Sequence, residues 1–212
     1  MPAAGRTGDP RPGTPGPPPG PDGQTAGMGD GVWLVIGVQA AGKSTVAEGL
    51  ARAHDPAVHV RGYQFVKWAT SGWVEPGDPD RPDEARRLLD LRCRLSARAA
   101  EEYGAAGFTT VVQDNLYGPD VVAWLRSVAA RPRRLVVLRP SVAVVQQRDA
   151  ARQRATGKVA YRPGGLTAAD LDEHLDRTPR LGLWLDTSGQ APDETVAEIL
   201  ARADEAVVDA AL

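Results

Sequence analysis

The feature that most constrains this chain is a glycine-rich turn that follows an uninterrupted apolar run. Residues Val32–Ile36 read VWLVI, which is typical of a strand covered on both faces of a parallel sheet. The turn Gly37–Ser44 reads GVQAAGKS, and Thr45–His54 has the character of a helix. A strand, a tight turn and a helix in this order predict the start of an α/β fold.

The turn fits the pattern G-x-x-x-x-G-K-[ST], whose glycines let backbone N–H groups close around phosphate oxygens. Lys43 would place a point charge on the outer phosphates, and the Ser44 hydroxyl would be a ligand for Mg²⁺. ATP and Mg²⁺ are therefore the expected cofactors. The alternative is a plain glycine-rich turn. The residues expected to contact the nucleotide here are Gly37, Gln39, Ala40, Ala41, Gly42, Lys43, Ser44 and Thr45.

Strand-like runs and helical segments alternate along the rest of the chain, which predicts a five-stranded parallel sheet in a three-layer P-loop NTPase fold with a short lid. The further strands are predicted at Ala57–Arg61, Phe108–Gln113, Leu135–Leu138 and Leu181–Leu185. The further helices are expected from an Asp83 cap to about Gly104, over Pro119–Ala130, after a Ser141 cap, after a Thr167–Asp170 capping box, and over Asp193–Ala206.

Asp114 ends the third predicted strand, at the sheet edge where an open α/β fold binds its ligand. A carboxylate there can hold Mg²⁺ or accept a proton from an attacking hydroxyl. Asp114 is therefore a candidate metal ligand, catalytic residue and acceptor-site residue. The alternative is that it only caps the next turn through Asn115.

Arg148 and Arg152 lie four residues apart, on one face of the predicted helix after Ser141. Guanidinium groups suit a phosphoryl group in transfer, and the glycines that follow would let residues 148–165 close as a lid. We expect both arginines to be catalytic and to contact the nucleotide. The alternative is a solvated basic surface in an arginine-rich chain.

The first thirty residues contain eight prolines and eight glycines, and their only large apolar side chain is Met28. Such a segment cannot bury enough apolar surface to offset its ordering entropy. We predict a disordered tail over residues 1–30 and a single domain over residues 31–212. Translation could also begin at Met28.

Charge and composition narrow the classes of partner. The net charge is −2, so nothing indicates a nucleic-acid surface. Cys93 is the one cysteine, which excludes an internal disulfide framework, and no apolar run is long enough to span a membrane. We therefore expect a cytoplasmic protein with a small-molecule partner, in an oligomeric state that the sequence leaves open.

Four segments together resemble the chloramphenicol phosphotransferase-like P-loop kinases: the phosphate loop, VVQD at Asp114, RDAAR at Arg148–Arg152, and LWLDTSG at Leu183–Gly189. The resemblance covers about residues 32–206, and gluconate, shikimate and adenylylsulfate kinases and zeta-type toxins are similar in broader outline. It implies transfer of the γ-phosphoryl group of ATP to a small-molecule hydroxyl. By the same resemblance Arg148, Arg152, Thr187 and Ser188 are candidates to contact ATP.

Tyr63 departs from that resemblance, because relatives usually have an aspartate base just after the second strand. A phenol with a pKa near 10 is a poor base at neutral pH. Three interpretations remain open. Asp114 takes over the role of the base, or the loose transition state needs positioning more than a base, or Tyr63 lowers turnover.

The acceptor is expected between the end of the second strand and the long helix that follows. Aromatic faces there suit sugar or other rings, and the acidic run from Glu75 to Glu84 would attract a cationic substrate. The alternative is a solvated acidic loop. The candidate acceptor-site residues are Tyr63, Phe65, Trp68, Trp73, Arg92, Asp114 and Tyr117.

The leading hypothesis is an ATP-dependent kinase that phosphorylates an antibiotic, of aminoglycoside or other natural-product type, in resistance or biosynthesis. The second is a metabolic kinase for a sugar or sugar nucleotide. The third is a nucleotide-binding regulatory protein with little turnover, a possibility raised by Tyr63.

Overall fold

A computed structural model describes residues 29–161 and 165–212, and in it five parallel strands form one sheet with helices packed around it. The strands are β1 (Val32–Gly37), β2 (Ala57–Arg61), β3 (Thr109–Gln113), β4 (Arg133–Leu138) and β5 (Leu183–Leu185). The helices are α1 (Lys43–Arg52), α2 (Gly62–Lys67), α3 (Pro82–Ala105), α4 (Pro119–Ser127), α5 (Val142–Thr156), α6 (Ala168–Asp176) and α7 (Pro192–Ala201). A 3₁₀ turn, Asp209–Ala211, follows near the end of the chain. The predicted α/β fold is confirmed.

The order of strands in the sheet is β2-β3-β1-β4-β5, and all four pairings are parallel. Every residue of β1, β3 and β4 is buried, so both faces of these strands are covered. The chain leaves β1 toward β3 and β2 on one side and later returns to β4 and β5 on the other. Open α/β sheets bind their ligands where the strand order reverses in this way, outside the carboxyl ends of the strands.

Two capping predictions are confirmed and one is wrong. The Ser141 hydroxyl accepts a hydrogen bond from the amide of Val144, and Thr167 and Asp170 form the predicted capping box. Asp83, however, does not cap α3. Helix α3 begins at Pro82, whose fixed φ and missing N–H suit the first helical position, and Asp83 lies in the first turn.

Several predicted boundaries also shift, and one helix was not predicted. Helix α2 lies within the aromatic segment after β2, where no apolar periodicity marks it. Strand β5 starts after Gly182, because that residue has a φ of 66° and interrupts the extended backbone. Helices α4 and α7 end earlier than predicted, at Ser127 and Ala201.

Gly29 and Asp30, which the prediction assigns to the tail, contact the folded domain. The amide of Asp30 donates a hydrogen bond of 2.9 Å to the Thr109 hydroxyl, and Arg134 donates to the Asp30 carbonyl at 2.6 Å. A Cβ atom on Gly29 would lie 2.3 Å from the Phe108 carbonyl oxygen, so the two segments touch there. The rest of the predicted tail, residues 1–28, lies outside the described residues, as do residues 162–164 of the predicted lid.

Helices α3 and α4 are joined by one fully buried side-chain hydrogen bond. The indole Nε1 of Trp124 donates to the Ser96 hydroxyl at 2.9 Å, and that hydroxyl donates to the carbonyl of Cys93 at 3.0 Å. Ser96 is 0% exposed and Trp124 is 2% exposed. Water therefore cannot replace a partner that is removed.

The Ser96→Ala variant should lower the free energy of unfolding by about 1–3 kcal/mol, because it leaves the Trp124 N–H buried without an acceptor. Ser127→Ala is the matched control, since the exposed Ser127 hydroxyl only donates back to the Trp124 carbonyl within the same helix. Urea unfolding of the two variants measures the difference. Equal stability of both variants would contradict this account of the contact.

Candidate functional site

The turn after β1 forms the tight loop that its sequence predicts. Three of its residues have positive φ: Gly37 at 149°, Ala40 at 62° and Gly42 at 100°. A Cβ atom on Gly37 would lie 2.4 Å from the carbonyl oxygen of Leu138, so only glycine fits beside β4 there. Helix α1 then begins at Lys43; the amides of Lys43 and Ser44 come before its first hydrogen bonds, which the amides of Thr45 and Val46 donate to the Gly42 carbonyl. The loop therefore presents donors and the positive end of a helix to an anion.

Lys43 lies inside the curve of this loop. Its side chain is buried, and Nζ donates to the carbonyls of Gly37 at 2.9 Å and Val38 at 2.7 Å. The pKa of Lys43 is lowered to about 7, chiefly by burial; the charge of Asp114 opposes this shift and the charge of Arg152 adds to it. Lys43, Arg152 and Asp114 are thus close enough for their charges to interact, as a shared phosphate site requires.

Oxygen ligands suited to Mg²⁺ come together at the ends of the loop and of β3. The Ser44 hydroxyl donates to Oε1 of Gln113 at 3.2 Å, and Asp114 directly follows Gln113. Hydroxyl, amide and carboxylate oxygens are the donors that Mg²⁺ prefers, and phosphates and water commonly complete its shell. The described residues contain no group of three or more His, Cys, Asp or Glu side chains that could hold a metal ion by themselves. The structure therefore brings Ser44 next to Gln113, where the hydroxyl could join a shell that a bound phosphate shares, whereas the Asp114 carboxylate is turned toward Arg92 and Asn115.

Asp114 is buried in a closely fitted pocket at the carboxyl edge of the sheet. Its Oδ2 lies 3.3 Å from Nε of the buried Arg92, and its Oδ1 accepts the amide of Asn115 at 2.7 Å. Desolvation raises the pKa of Asp114, while Arg92, the Asn115 amide and Lys43 act in the opposite direction. Within the described part of the chain Oδ2 has no hydrogen-bond partner, so it keeps the capacity to accept one.

Gly62, the first residue of α2, makes this pocket possible. A Cβ atom at Gly62 would lie 2.0 Å from Oδ2 of Asp114, which is shorter than any real contact. The start of α2 therefore rests directly on the carboxylate. Tyr63, the next residue, is brought to the same edge of the sheet as Asp114.

Arg148 connects two loops around the predicted nucleotide site. Its guanidinium donates to the carbonyl of Ala41 at 3.2 Å and to the carbonyl of Thr187 at 2.7 Å. The Thr187 hydroxyl is buried and has no hydrogen-bond partner among residues 29–161 and 165–212. The Ser188 hydroxyl accepts the amide of Ser141 at 2.8 Å. The structure thus brings Arg148, Thr187 and Ser188 to one side of the phosphate loop.

Arg152 lies one turn further along α5 and is paired within its own helix. Its guanidinium donates to Oδ1 of Asp149 at 2.6 Å. Beyond the end of α5, the hydroxyl of Tyr161 donates to the carbonyl of Gln39 in the phosphate loop at 2.7 Å. Residues 148–161 of the predicted lid are therefore in contact with the loop.

Tyr63, Phe65 and Trp68 lie on α2 or directly after it, the helix whose first residue rests on Asp114, and we call them the α2 wall. The Tyr63 hydroxyl donates to Oε1 of Glu75 at 2.9 Å, which ties the acidic loop to α2. Phe65 packs against the core and meets Trp68 edge to face at 5.1 Å, and Trp68 is 67% exposed. An exposed tryptophan that a second ring supports is a suitable face for a ring-shaped acceptor.

The remaining acceptor candidates have different positions. Tyr117 lies beside the phosphate loop, with its hydroxyl 3.5 Å from the Gly37 carbonyl, and burial raises its pKa. Trp73 packs in a separate small cluster with Val74 and Leu88, away from the main core. The Arg92 guanidinium is directed at Asp114 and at the Asn115 carbonyl, 3.1 Å away.

The sequence reasoning missed three residues of this site: Gly62, Gln113 and Tyr161. Gly62 carries a usable signal, because a glycine directly after a strand often marks a close approach of another group. Gln113 precedes Asp114 at the strand end and could have been included with it. Tyr161 follows a glycine-containing break in the chain, and nothing local indicates its partner Gln39.

A family model described as AAA domain matches residues 32–179 of this chain. No curated protein sequence matches it.

Three solved structures show the same fold at identities below 25%. A sugar kinase from Janibacter sp. HTCC2649 has 21% identity and a TM-score of 0.52, over 82% of this chain and 95% of that one. A gluconokinase from Sinorhizobium meliloti 1021 has 24% identity and a TM-score of 0.53, over 84% of this chain and 94% of that one. The tunicamycin resistance protein of Deinococcus radiodurans has 16% identity and a TM-score of 0.54, over 81% of this chain and 94% of that one.

The Gly62→Ala variant should be destabilised by about 1–3 kcal/mol, because a methyl group at that position forces α2 and the Asp114 carboxylate apart. Gly104→Ala is the matched control. Gly104 is also helical, its added Cβ would meet Ala130 at an ordinary 3.9 Å, and it should be neutral or stabilising. Urea unfolding compares the stability of the two variants.

The double variant Gly62→Ala/Asp114→Ala should lose less free energy of unfolding than the sum of the losses in the two single variants. Strict additivity of these losses would contradict the contact between Gly62 and Asp114.

Proposed function

The chain belongs to the AAA domain family, and we propose that it is a kinase that transfers the γ-phosphoryl group of ATP to a hydroxyl of a small molecule. One observation carries the proposal. A buried lysine within a phosphate loop and a buried carboxylate at the end of the neighbouring strand share one edge of the sheet and influence each other's pKa. Phosphoryl transfer needs these two functions side by side, one to hold phosphate and one to receive the acceptor.

The phosphates are held by the amides at the start of α1 and by Lys43, whose ammonium exchanges the carbonyls of Gly37 and Val38 for phosphate oxygens. Arg148 and Arg152 add positive charge from α5, and Thr187 and Ser188 border the base of the nucleotide. Ser44, with Asp114 nearby, would hold Mg²⁺, and the bound ion would neutralise charge on the phosphates. These donors are fixed before the substrate arrives, which is how positioning lowers the barrier.

Asp114 accepts the proton of the attacking hydroxyl in this proposal. Its Oδ2 has no hydrogen-bond partner among the described residues, and Arg92 and Asn115 hold the carboxylate in one orientation. Because Gly62 covers Oδ2, the start of α2 must move aside before a hydroxyl can reach it. Tyr63, which stands where relatives usually have the base, instead donates a hydrogen bond from its hydroxyl to Glu75. A phenol engaged as a donor is not placed to remove a proton, so the role passes to Asp114.

The acceptor proposed first is a hydroxylated natural product of the antibiotic type. The exposed Trp68 offers a ring face, and Glu75 offers a carboxylate to a cationic group on the same molecule. The fold it shares with a tunicamycin resistance protein is consistent with this choice. A sugar or sugar acid is the second candidate, since two further structures of this fold are a sugar kinase and a gluconokinase.

The purified chain, incubated with ATP, Mg²⁺ and a panel of acceptors, should add one phosphoryl group to at least one of them, detected as a gain in mass. The panel contains aminoglycosides, tunicamycin, free sugars and sugar acids. Phosphorylation confined to sugars or sugar acids would select the metabolic kinase. Nucleotide binding without any product would favour a regulatory protein, and failure to bind ATP would contradict the proposal altogether.

Lys43→Ala in the same assay should lower turnover at least ~100-fold, as expected when a preorganised charge that stabilises the transition state is lost. Arg52→Ala is the control, because it removes a cation from the other end of the same helix, where the side chain is 78% exposed. Turnover of Lys43→Ala at the wild-type rate would contradict the role of the loop.

Asp114→Asn should lower kcat by roughly 10²–10⁴-fold while the affinity for ATP changes little, because it removes the proton acceptor. Tyr63→Phe keeps the ring and loses only the hydroxyl, and it should retain most of the activity. A loss that higher Mg²⁺ concentrations restore would make Asp114 a metal ligand instead. A larger loss in Tyr63→Phe than in Asp114→Asn would reverse the two assignments.

A further inference from the structure

Asp149 is a buried carboxylate on α5 that the mechanism above does not use. Its side chain is 12% exposed, and its Oδ1 accepts two hydrogen bonds. One comes from the Arg152 guanidinium at 2.6 Å and the other from the amide of Ala160 at 3.0 Å. A carboxylate is costly to bury unless it is paired with a charge and hydrogen-bonded, and Asp149 has both kinds of partner.

The bond to Ala160 fixes the path of the chain after α5. The helix ends at Thr156, and Gly157 adopts a left-handed conformation with a φ of 69°, which turns the chain away from the helix axis. Asp149 lies eleven positions before Ala160, so its hydrogen bond brings residues 157–160 back along the helix that they have just left. The amide of Lys158, bonded to the Thr156 hydroxyl at 3.3 Å, supports the same turn.

Because residues 157–160 run back along α5, they bring Tyr161 to the phosphate loop. Its ring packs against the main core, and its hydroxyl donates to the carbonyl of Gln39 at 2.7 Å. Burial and the negative charge of Asp149 raise the pKa of the Tyr161 phenol, so it keeps the proton that it donates. Gln39 is next to Ala40, which has a φ of 62° in the phosphate loop.

We propose that Asp149 and Tyr161 are positioning residues that hold the phosphate loop in its binding conformation. Asp149 sets the direction of Arg152 and, through Ala160, the position of Tyr161. Tyr161 then fixes the loop at Gln39. Neither residue needs to touch the reacting atoms, and the inference rests on the proposed function only where it concerns ATP. The contacts from Asp149 through Ala160 and Tyr161 to Gln39, which we call the link, are present in the protein without nucleotide.

Tyr161→Phe tests the link, because it removes one hydroxyl and keeps the ring. Amide hydrogen exchange of the peptide that contains residues 37–42, measured without nucleotide, should become about 3- to 10-fold faster, as expected from the loss of one hydrogen bond. Tyr103→Phe is the matched control, since Tyr103 lies near the end of α3 against Phe108, at the opposite edge of the sheet. In Tyr103→Phe, the peptide that contains residues 37–42 should exchange at the wild-type rate. Unchanged exchange in Tyr161→Phe would overturn the proposal.

Variants of Asp149 separate the link from general destabilisation. Asp149→Ala should speed exchange of the loop as much as Tyr161→Phe, and the double variant should show no further increase, because both changes break one chain of contacts. Asp149→Asn keeps an oxygen for the Ala160 amide and should restore exchange to within about twofold of wild type. Fully additive effects, or no rescue by asparagine, would contradict the assignment.

Calorimetric titration with ATP and Mg²⁺ then distinguishes this inference from the proposed function. Tyr161→Phe should weaken ATP binding by about 3- to 10-fold relative to Tyr103→Phe. Faster loop exchange in a protein that binds no ATP would leave the link standing and overturn the kinase assignment. Wild-type ATP affinity in Tyr161→Phe, despite faster exchange, would overturn the role of the link in nucleotide binding.

Discussion

The central position of β1 is the constraint on which the rest of the structure depends. This strand is paired on both edges over Val32–Val35 and covered on both faces, so its backbone polar groups there are satisfied inside the sheet. Its last residue, Gly37, lies so close to the carbonyl of Leu138 that only glycine fits there. The phosphate loop is therefore anchored to the most rigid element of the molecule. The groups that surround it come from β3, α5 and the segment after β5.

The site is built from buried charges that compensate one another. Lys43, Asp114, Arg92 and Asp149 are all largely removed from water, and each has a charged neighbour or backbone partners. Such groups cost several kcal/mol when they are left unpaired, so their placement limits how the surrounding elements can shift. The same low dielectric strengthens each interaction with a bound phosphate. None of the helices among the described residues is both long and apolar enough to cross a membrane.

Local sequence signals predict where the five strands and most of the helices lie along the chain, but not the order of the strands in the sheet. The apolar runs of β1, β3 and β4 have no competing interpretation, and Ser141 and Thr167 mark helix starts through bonds made within three residues. The segment after β2 gave no such signal, because the aromatic residues of α2 do not repeat at helical spacing. The residues of the phosphate loop could be identified because the pattern that marks them lies in one unbroken stretch of sequence, Gly37–Ser44. Gly62 and Tyr161 were missed because their partners are distant in sequence and depend on how the strands are arranged.

Both ends of the described chain meet the sheet at the edge opposite the phosphate loop. Asp30 is bonded to Thr109 and Arg134 near the amino ends of β3 and β4, and the amide of Val208 donates to the carbonyl of Arg133. In a parallel sheet, the amino ends of the strands are separated from the carboxyl ends by the full strand length. A tether or fusion partner attached after Leu212 therefore joins the described domain on the side away from the phosphate loop. A surface-immobilised form of the protein would present the loop, the α2 wall and the arginines of α5 to the solution.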